Sequence, residues 1–341
     1  MHAIAKTKPE TGAELVQWNP PTPGRGEVLI RVSAASICGT DVHIYTWDDW
    51  AQSRIRIPQI LGHEHAGRVE SVGPEVHHVK PGDYVTAETH IFCGRCFLCQ
   101  TGNAHICRNV EILGVDRDGT FAEYLAVPES VVWHNDPQLP PKVATLMEPY
   151  GNSVHVVMKA EVAAKTVVII GDGPTGLLAA GVAQAAGASA VWNVGLLDYR
   201  LQVAAELGAE ATVNASRDDP VAMVRRWTEG LGADVVLEMS GSEVALKQAL
   251  EMIRPGGRII AFGIPSRPLT LNAADLVFKG VEILGVVGRR IFDTWHQAMR
   301  FLPQVDVARI ITDELPLSRW QEGIDKLLNR QAIKVVLYPG E

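Results

Sequence analysis

Residues 166–187 read TVVIIGDGPTGLLAAGVAQAAG. The run TVVII is short and apolar throughout, the pattern of a parallel strand buried on both faces. Gly171, Gly173 and Gly176 follow as G-x-G-x-x-G, and a small-residue helix runs on to Gly187. A glycine triplet alone says little. Strand, glycines and helix in this order restrict the fold sharply. The glycines permit a tight turn and the close approach of a pyrophosphate, whose charge the helix N-terminus faces. Strand-like and helix-like segments then alternate: SAVWNV before DYRLQVAAELGA, DVVLEMSG before EVALKQALEMI, then GGRIIAFG and VEILGVVG. This alternation predicts an α/β unit with a doubly wound parallel sheet.

Two positions depart from a dinucleotide-binding pattern. The second strand of such a sheet commonly ends in an acid about 20 residues past the glycines, bonded to the ribose 2′-hydroxyl. Gly195 stands at that place, and Asp198 falls in the turn of helix that follows. Without a carboxylate nothing repels a 2′-phosphate, and Arg200 is near enough to contact one, so NADP stays open beside NAD. Restoring an acid at 195 is then expected to favour NAD. The second oddity is Asp172, an acid inside the glycine loop. Its side chain must point away from the pyrophosphate to avoid like-charge repulsion.

Four of the five cysteines lie in IFCGRCFLCQTGNAHIC, residues 91–107. Cys93, Cys96, Cys99 and Cys107 make C-x2-C-x2-C-x7-C. Two-residue gaps let one loop wrap its thiolates around a single ion, and the fourth ligand closes a tetrahedron. Four thiolates with no open position describe a structural zinc site. An iron–sulfur cluster needs similar spacings, but nothing else points to electron transfer. A CxxC redox pair leaves two thiols unexplained. MHAIAKTKPETG holds no apolar signal core, and no apolar run is long enough for a bilayer. A cytoplasmic location is the expectation, and there clustered thiols read as metal ligands before disulfides.

The fifth cysteine, Cys38, ends an alternating strand, EVLIRVSAASI. Alone it reads as a small buried hydrophobe. LGHEHAGRVESVG, residues 61–73, supplies His63 and Glu64 between Gly62 and Gly67. Cys, His and Glu form a mixed zinc ligand set that leaves room for water or substrate. His65, on the same side of a strand as His63, competes with Glu64 for the third place. An open metal position beside a dinucleotide fold suggests alcohol oxidation, with a metal for the alcohol oxygen and a nicotinamide for the hydride. The 341 residues suggest two domains. A net charge of −8 without a basic run argues against nucleic acid and anionic membrane as partners.

GHEHAGRVESVG resembles the zinc-containing alcohol dehydrogenase signature of the medium-chain dehydrogenase/reductase superfamily. Within it, CGTDVHIYTWDDW, ETHIFCGRCFLC, ILGVDRDGTFAEY, MEPYGNSVH and GRRIFDTW make the whole chain similar to the family of L-threonine 3-dehydrogenases. The resemblance implies a strand-rich GroES-like catalytic domain over residues 1–148, to which 294–341 return, and a Rossmann domain over 149–293. It implies oxidation of the threonine 3-hydroxyl to L-2-amino-3-oxobutanoate, with the small-molecule substrate as partner, in a homotetramer. Catalytic zinc would rest on Cys38, His63 and Glu64, and structural zinc on Cys93, Cys96, Cys99 and Cys107. Thr40 and His43 would relay a proton to solvent; from the residues alone they read as a turn hydroxyl and a surface histidine. Glu148 matches an acidic position that assists proton transfer or approaches the metal, and His90 a position near the substrate. Gly171, Gly173, Thr175, Gly176, the position of Gly195, Arg200, Phe262, Gly263, Ile264, Val286 and Val287 would contact NAD. A polyol or other secondary alcohol is the alternative substrate, and a non-catalytic dinucleotide sensor the alternative of another class.

Overall fold

The computed structural model describes residues 1–265 and 268–340. The chain forms two compact units, Met1–Glu148 with Ile311–Glu341, and Pro149–Ile310. The C-terminal segment splits between them: residues 294–310, expected with the catalytic domain, cluster with the second unit. Their side chains explain it. Trp295 is buried beside Phe292 and Arg289. Val305 packs where a side chain on Gly181 would otherwise lie, and Arg309 pairs with Glu206.

In the second unit the apolar runs become a six-stranded parallel sheet. The strands are β1 (Thr166–Ile170), β2 (Ala190–Gly195), β3 (Ala211–Asn214), β4 (Ala233–Glu238), β5 (Ile253–Ala261) and β6 (Glu282–Gly285). Their spatial order is β3-β2-β1-β4-β5-β6. Helices Pro174–Ala185, Asp198–Glu206, Pro220–Trp227, Glu243–Met252 and Ala273–Lys279 connect successive strands. Val167, Val168 and Ile169 are fully buried, as a strand covered on both faces requires. The order reverses between β1 and β4, and in open α/β sheets ligands bind outside the strand carboxyl ends at that point. The short strand ATVN, β3, carries too few apolar residues to stand out in the sequence.

The first unit is built around a seven-stranded sheet. Its central strand, Glu27–Ser36, alternates as the sequence indicates: Val28, Ile30 and Val32 face the core while Arg31 is exposed. It pairs antiparallel with Glu64–Val72 on one side and with the C-terminal strand Lys334–Tyr338 on the other. Ser36 and Glu64 are register partners. No helix among the described residues is long and apolar enough to cross a membrane.

A buried ion pair joins these three strands. Lys334 Nζ lies 2.9 Å from each Glu64 carboxylate oxygen and donates to the Ile37 carbonyl at 3.0 Å. Its three protons thus have three acceptors. The Ser36 hydroxyl donates to the same carboxylate. Burial alone would lower the Lys334 pKa; the Glu64 charge outweighs it and raises it. Burial raises the Glu64 carboxyl pKa overall, against the pull of Lys334, and both of its oxygens accept hydrogen bonds. Removing one member of such a pair leaves an uncompensated buried charge and costs about 3–5 kcal/mol. Lys334→Met should therefore lower the thermal unfolding temperature by several degrees in calorimetry; an unchanged temperature would show that the pair holds nothing together.

Candidate active site

Cys38 is the N-cap of helix Gly39–Thr46. Its backbone N–H donates to Asp41 Oδ2 at 2.9 Å, closing the first helical turn. The other oxygen, Asp41 Oδ1, accepts from the Gly62 N–H at 3.0 Å and stands 3.8 Å from His63 Nδ1. One fully buried carboxylate therefore positions both the Cys38 turn and the His63 segment. Gly62 makes this junction possible: its φ is +87°, and a Cβ there would lie 2.3 Å from the Phe121 ring. Sequence reasoning passed over Asp41. The signal was present in C-x-x-D, a capping box with Cys in place of Ser.

Cys38 Sγ, a His63 ring nitrogen and a Glu64 oxygen lie within 4.8 Å of one another. His63 and Glu64 are buried and Cys38 partly so. Burial opposes charge on His63, but Asp41, Cys38 and Glu148 outweigh it and push its pKa up to about 10. Asp41, Glu64 and Glu148 bring acidic groups together in a dry space, where they favour positive charge on His63 and Lys334. The donor set fits zinc: one soft sulfur, one imidazole and one carboxylate, three ligands as in an open site. His65 stays outside that group. It is fully buried, neither ring nitrogen has a hydrogen-bond partner, and burial followed by the His63 charge drives its pKa down to about 3.

Thr40 sits beside Cys38, its hydroxyl 3.9 Å from Sγ. His43 follows one turn on along the same helix and is exposed. Its Nδ1 shares a 2.6 Å hydrogen bond with Asp48, and its ring meets Trp50 edge-on. The Asp48 carboxyl is held below its usual range: burial works the other way, but the Ala51 N–H and His43 outweigh it. Glu148 is buried in the first turn of helix Met147–Ala160. His90, on the short strand His90–Ile91, bonds Glu88 through Nδ1 at 2.9 Å.

The four-cysteine loop is closed on itself. Cys96–Cys99 and Cys93–Cys107 sulfurs are 3.5 Å apart, Cys96–Cys107 3.8 Å and Cys93–Cys99 4.0 Å. Thiolates on one zinc at about 2.3 Å stand about 3.8 Å from each other at the corners of a tetrahedron. All four cysteines are free of disulfides. The Arg95 N–H leads in holding the Cys93 thiol down to about 6, while burial and neighbouring thiols push Cys99 up to about 12. All four could serve as thiolates to one divalent cation, which would resolve that conflict.

In the second unit Gly171 takes φ +138°, and a Cβ on Gly176 would lie 2.3 Å from the Gly171 carbonyl oxygen. Gly173 differs. It has ordinary φ, −77°, and a Cβ there would meet nothing within 4 Å. Packing gives no reason for glycine at that position; a ligand drawn against the backbone does, so the loop fits a pyrophosphate. Thr175 opens the helix beyond, its carbonyl accepting from Ser153. Phe262, Gly263 and Ile264 follow the end of β5, and Val286 and Val287 the end of β6. Phe262 and Gly263 both donate to the Glu238 carbonyl, while Glu238 Oε1 gathers the Ser240 and Gly241 amides. Arg200 bonds the Tyr199 hydroxyl and lies over its ring.

The place after β2 is not without an acid. Asp172 turns off the glycine loop, and its Oδ2 accepts from the Leu196 and Leu197 amides at 2.7 and 2.9 Å. A Cβ on Gly195 would lie 2.6 Å from Asp172 Cβ. A side chain at 195 would therefore collide with the acid already present.

For the cysteine loop, Cys107→Ser should cut bound zinc from two ions per chain to one and lower the unfolding temperature. Two retained zinc ions by elemental analysis would show that the loop is not a metal site.

A family model described as Alcohol dehydrogenase GroES-like domain matches residues 24–137, and one described as Zinc-binding dehydrogenase matches 174–304. The L-threonine 3-dehydrogenase of Caldanaerobacter subterraneus subsp. tengcongensis is 46% identical over 99% of both chains. That of Pyrococcus furiosus is 44% identical over 98% of both. Among solved structures, the alcohol dehydrogenase TADH of Thermus sp. ATN1 superimposes with a TM-score of 0.91 at 30% identity, over 99% of each chain. The chain is an oxidoreductase of the zinc-containing alcohol dehydrogenase family, within the medium-chain dehydrogenases.

Proposed function

We propose that the protein oxidises L-threonine at its 3-hydroxyl to L-2-amino-3-oxobutanoate, with hydride passing from C3 to a nicotinamide dinucleotide and the hydroxyl proton to solvent. The observation that carries the reading is the Cys38, His63 and Glu64 cluster, together with near-half identity to L-threonine 3-dehydrogenases over the full chain. Bound zinc would supply Lewis acidity and the dinucleotide a hydride acceptor.

The chain's own residues do the rest. Cys38, His63 and Glu64 would hold the metal, with Asp41 fixing the first two and Lys334 balancing the third. The Thr40 hydroxyl, next to Cys38, would take the substrate proton. His43, exposed and oriented by Asp48, would pass it to water. Glu148 adds a buried negative charge that favours a cation at the site. Gly171, Gly173 and Gly176 would seat the pyrophosphate. A homotetramer is part of the proposal, supported by exposed Val277 and Phe278 on the helix Ala273–Lys279 that precedes the edge strand β6. A cytoplasmic location is part of it too.

The test is a substrate panel. L-threonine, D-threonine, L-serine, sorbitol and 2,3-butanediol would each be offered to the zinc-loaded protein with NAD and with NADP. Turnover confined to L-threonine is expected; turnover of a diol alone would overturn the substrate and keep the chemistry. Cys38→Ser should slow threonine oxidation more than about a thousandfold, because several kcal/mol of transition-state stabilisation leave with the metal. The four-cysteine zinc should stay in place, and retained activity with that single zinc would contradict the mechanism. His43→Asn should lower kcat about a hundredfold, the usual size of a lost proton-transfer group, with zinc content and dinucleotide affinity unchanged. An unaltered kcat would remove His43 from the proton path.

A further inference from the structure

Dinucleotide folds place the ribose-reading acid at the end of the second strand, and in this chain that position is Gly195. The space beside it is filled from another part of the sequence. Asp172, two residues past β1, sends its carboxylate across to the end of β2. There the Leu196 and Leu197 amides both grip Oδ2. The other oxygen, Oδ1, accepts no hydrogen bond among the described residues, and the side chain is only partly buried. Any side chain on Gly195 would overlap it: Asp172 Cβ, Oδ2 and Cγ lie 2.6, 2.8 and 2.9 Å from a Cβ at 195. Positions 172 and 195 thus compete for one volume, and here the glycine is the condition for the acid.

Other acids and bases nearby are already engaged. Asp198, the next acid after β2, accepts from Asn214 at 2.9 Å and pairs with Arg217 at 2.7 Å. Arg200 bonds the Tyr199 hydroxyl and covers its ring. The fixed negative charge at the strand end is that of Asp172.

We propose that Asp172 is the specificity-determining residue for the cofactor. Its carboxylate, carried on the glycine loop, stands in for the acid missing from position 195, accepts the adenosine ribose 2′-hydroxyl through Oδ1 and repels a 2′-phosphate. The chain therefore selects NAD over NADP. This rests on the reading of the second unit as a dinucleotide site and not on threonine as substrate.

Direct binding tests it, without turnover. NADH and NADPH would be titrated by fluorescence against the zinc-loaded wild type, Asp172→Asn, and the exchange Asp172→Gly with Gly195→Asp, which also removes the Asp172 Cβ. Wild type should prefer NADH. Asp172→Asn keeps an oxygen for the two amides but loses the charge, and should narrow the NADH/NADPH ratio by about tenfold or more, mostly through tighter NADPH. The exchange should return the preference toward NADH, because the carboxylate introduced at position 195 then has room. A wild-type preference for NADPH, or an unchanged ratio in Asp172→Asn, overturns the proposal. Should Asp172→Asn fail to fold, the exchange decides, and a ratio that fails to favour NADH overturns it. No binding of either dinucleotide to wild type would sink the dinucleotide reading and this proposal with it. Selective NADH binding without threonine turnover would uphold this proposal and sink only the substrate.

Discussion

The buried pair of Lys334 and Glu64 is the interaction on which the first unit depends. It ties residues 270 positions apart, and it joins the C-terminal strand to the strand that opens with Glu64. An ammonium in a dry interior is costly unless its protons are met. Here the Glu64 oxygens and the Ile37 carbonyl meet them. In return the ammonium offsets part of the charge that Asp41, Glu64 and Glu148 bring together. The C-terminal strand is therefore part of the site's electrostatics as well as of its sheet, and a chain ending before residue 334 would leave Glu64 buried without a counter-charge. Two supports converge on the cluster from different directions: Asp41 sets the position of Cys38 and His63 from the helix side, and Lys334 sets that of Glu64 from the sheet side.

The features legible in the sequence are those that act locally. TVVII with its glycines encodes a strand, a turn and a helix through contacts between near neighbours, and the six-stranded sheet follows. The cysteine loop is legible for the same reason, since spacing alone brings three of its sulfurs round one centre. What escaped was set by distant partners. Nothing near Lys334 marks it as the counter-charge of Glu64. The helix at 293–301 is amphipathic, and that pattern does not say which unit will receive it; Trp295 and Arg289 decide. Between Glu64 and His65, strand alternation puts His65 on the side of His63, and only the family resemblance favours Glu64. The cluster in space includes Glu64 and leaves His65 without partners.

The dinucleotide unit shows how a carboxylate can lie at the end of the second strand while being carried by another part of the chain. A reading by position finds Gly195 and concludes that a carboxylate is missing. In three dimensions the glycine loop after β1 and the end of β2 are neighbours, and an aspartate on the first can reach the amides of the second. Asp172, read alone, was an anomaly to be turned away from a pyrophosphate. It is turned away, and the direction it takes fills the gap. The two departures from the expected pattern are one exchange.

In the proposed reaction the hydrogen on C3 of L-threonine leaves as hydride directly to the nicotinamide. L-threonine deuterated at C3 would be oxidised by the zinc-loaded protein, and the reduced dinucleotide isolated and weighed by mass spectrometry. One deuterium is expected in each reduced cofactor and none in water. Deuterium released to solvent, with an unlabelled cofactor, would contradict it.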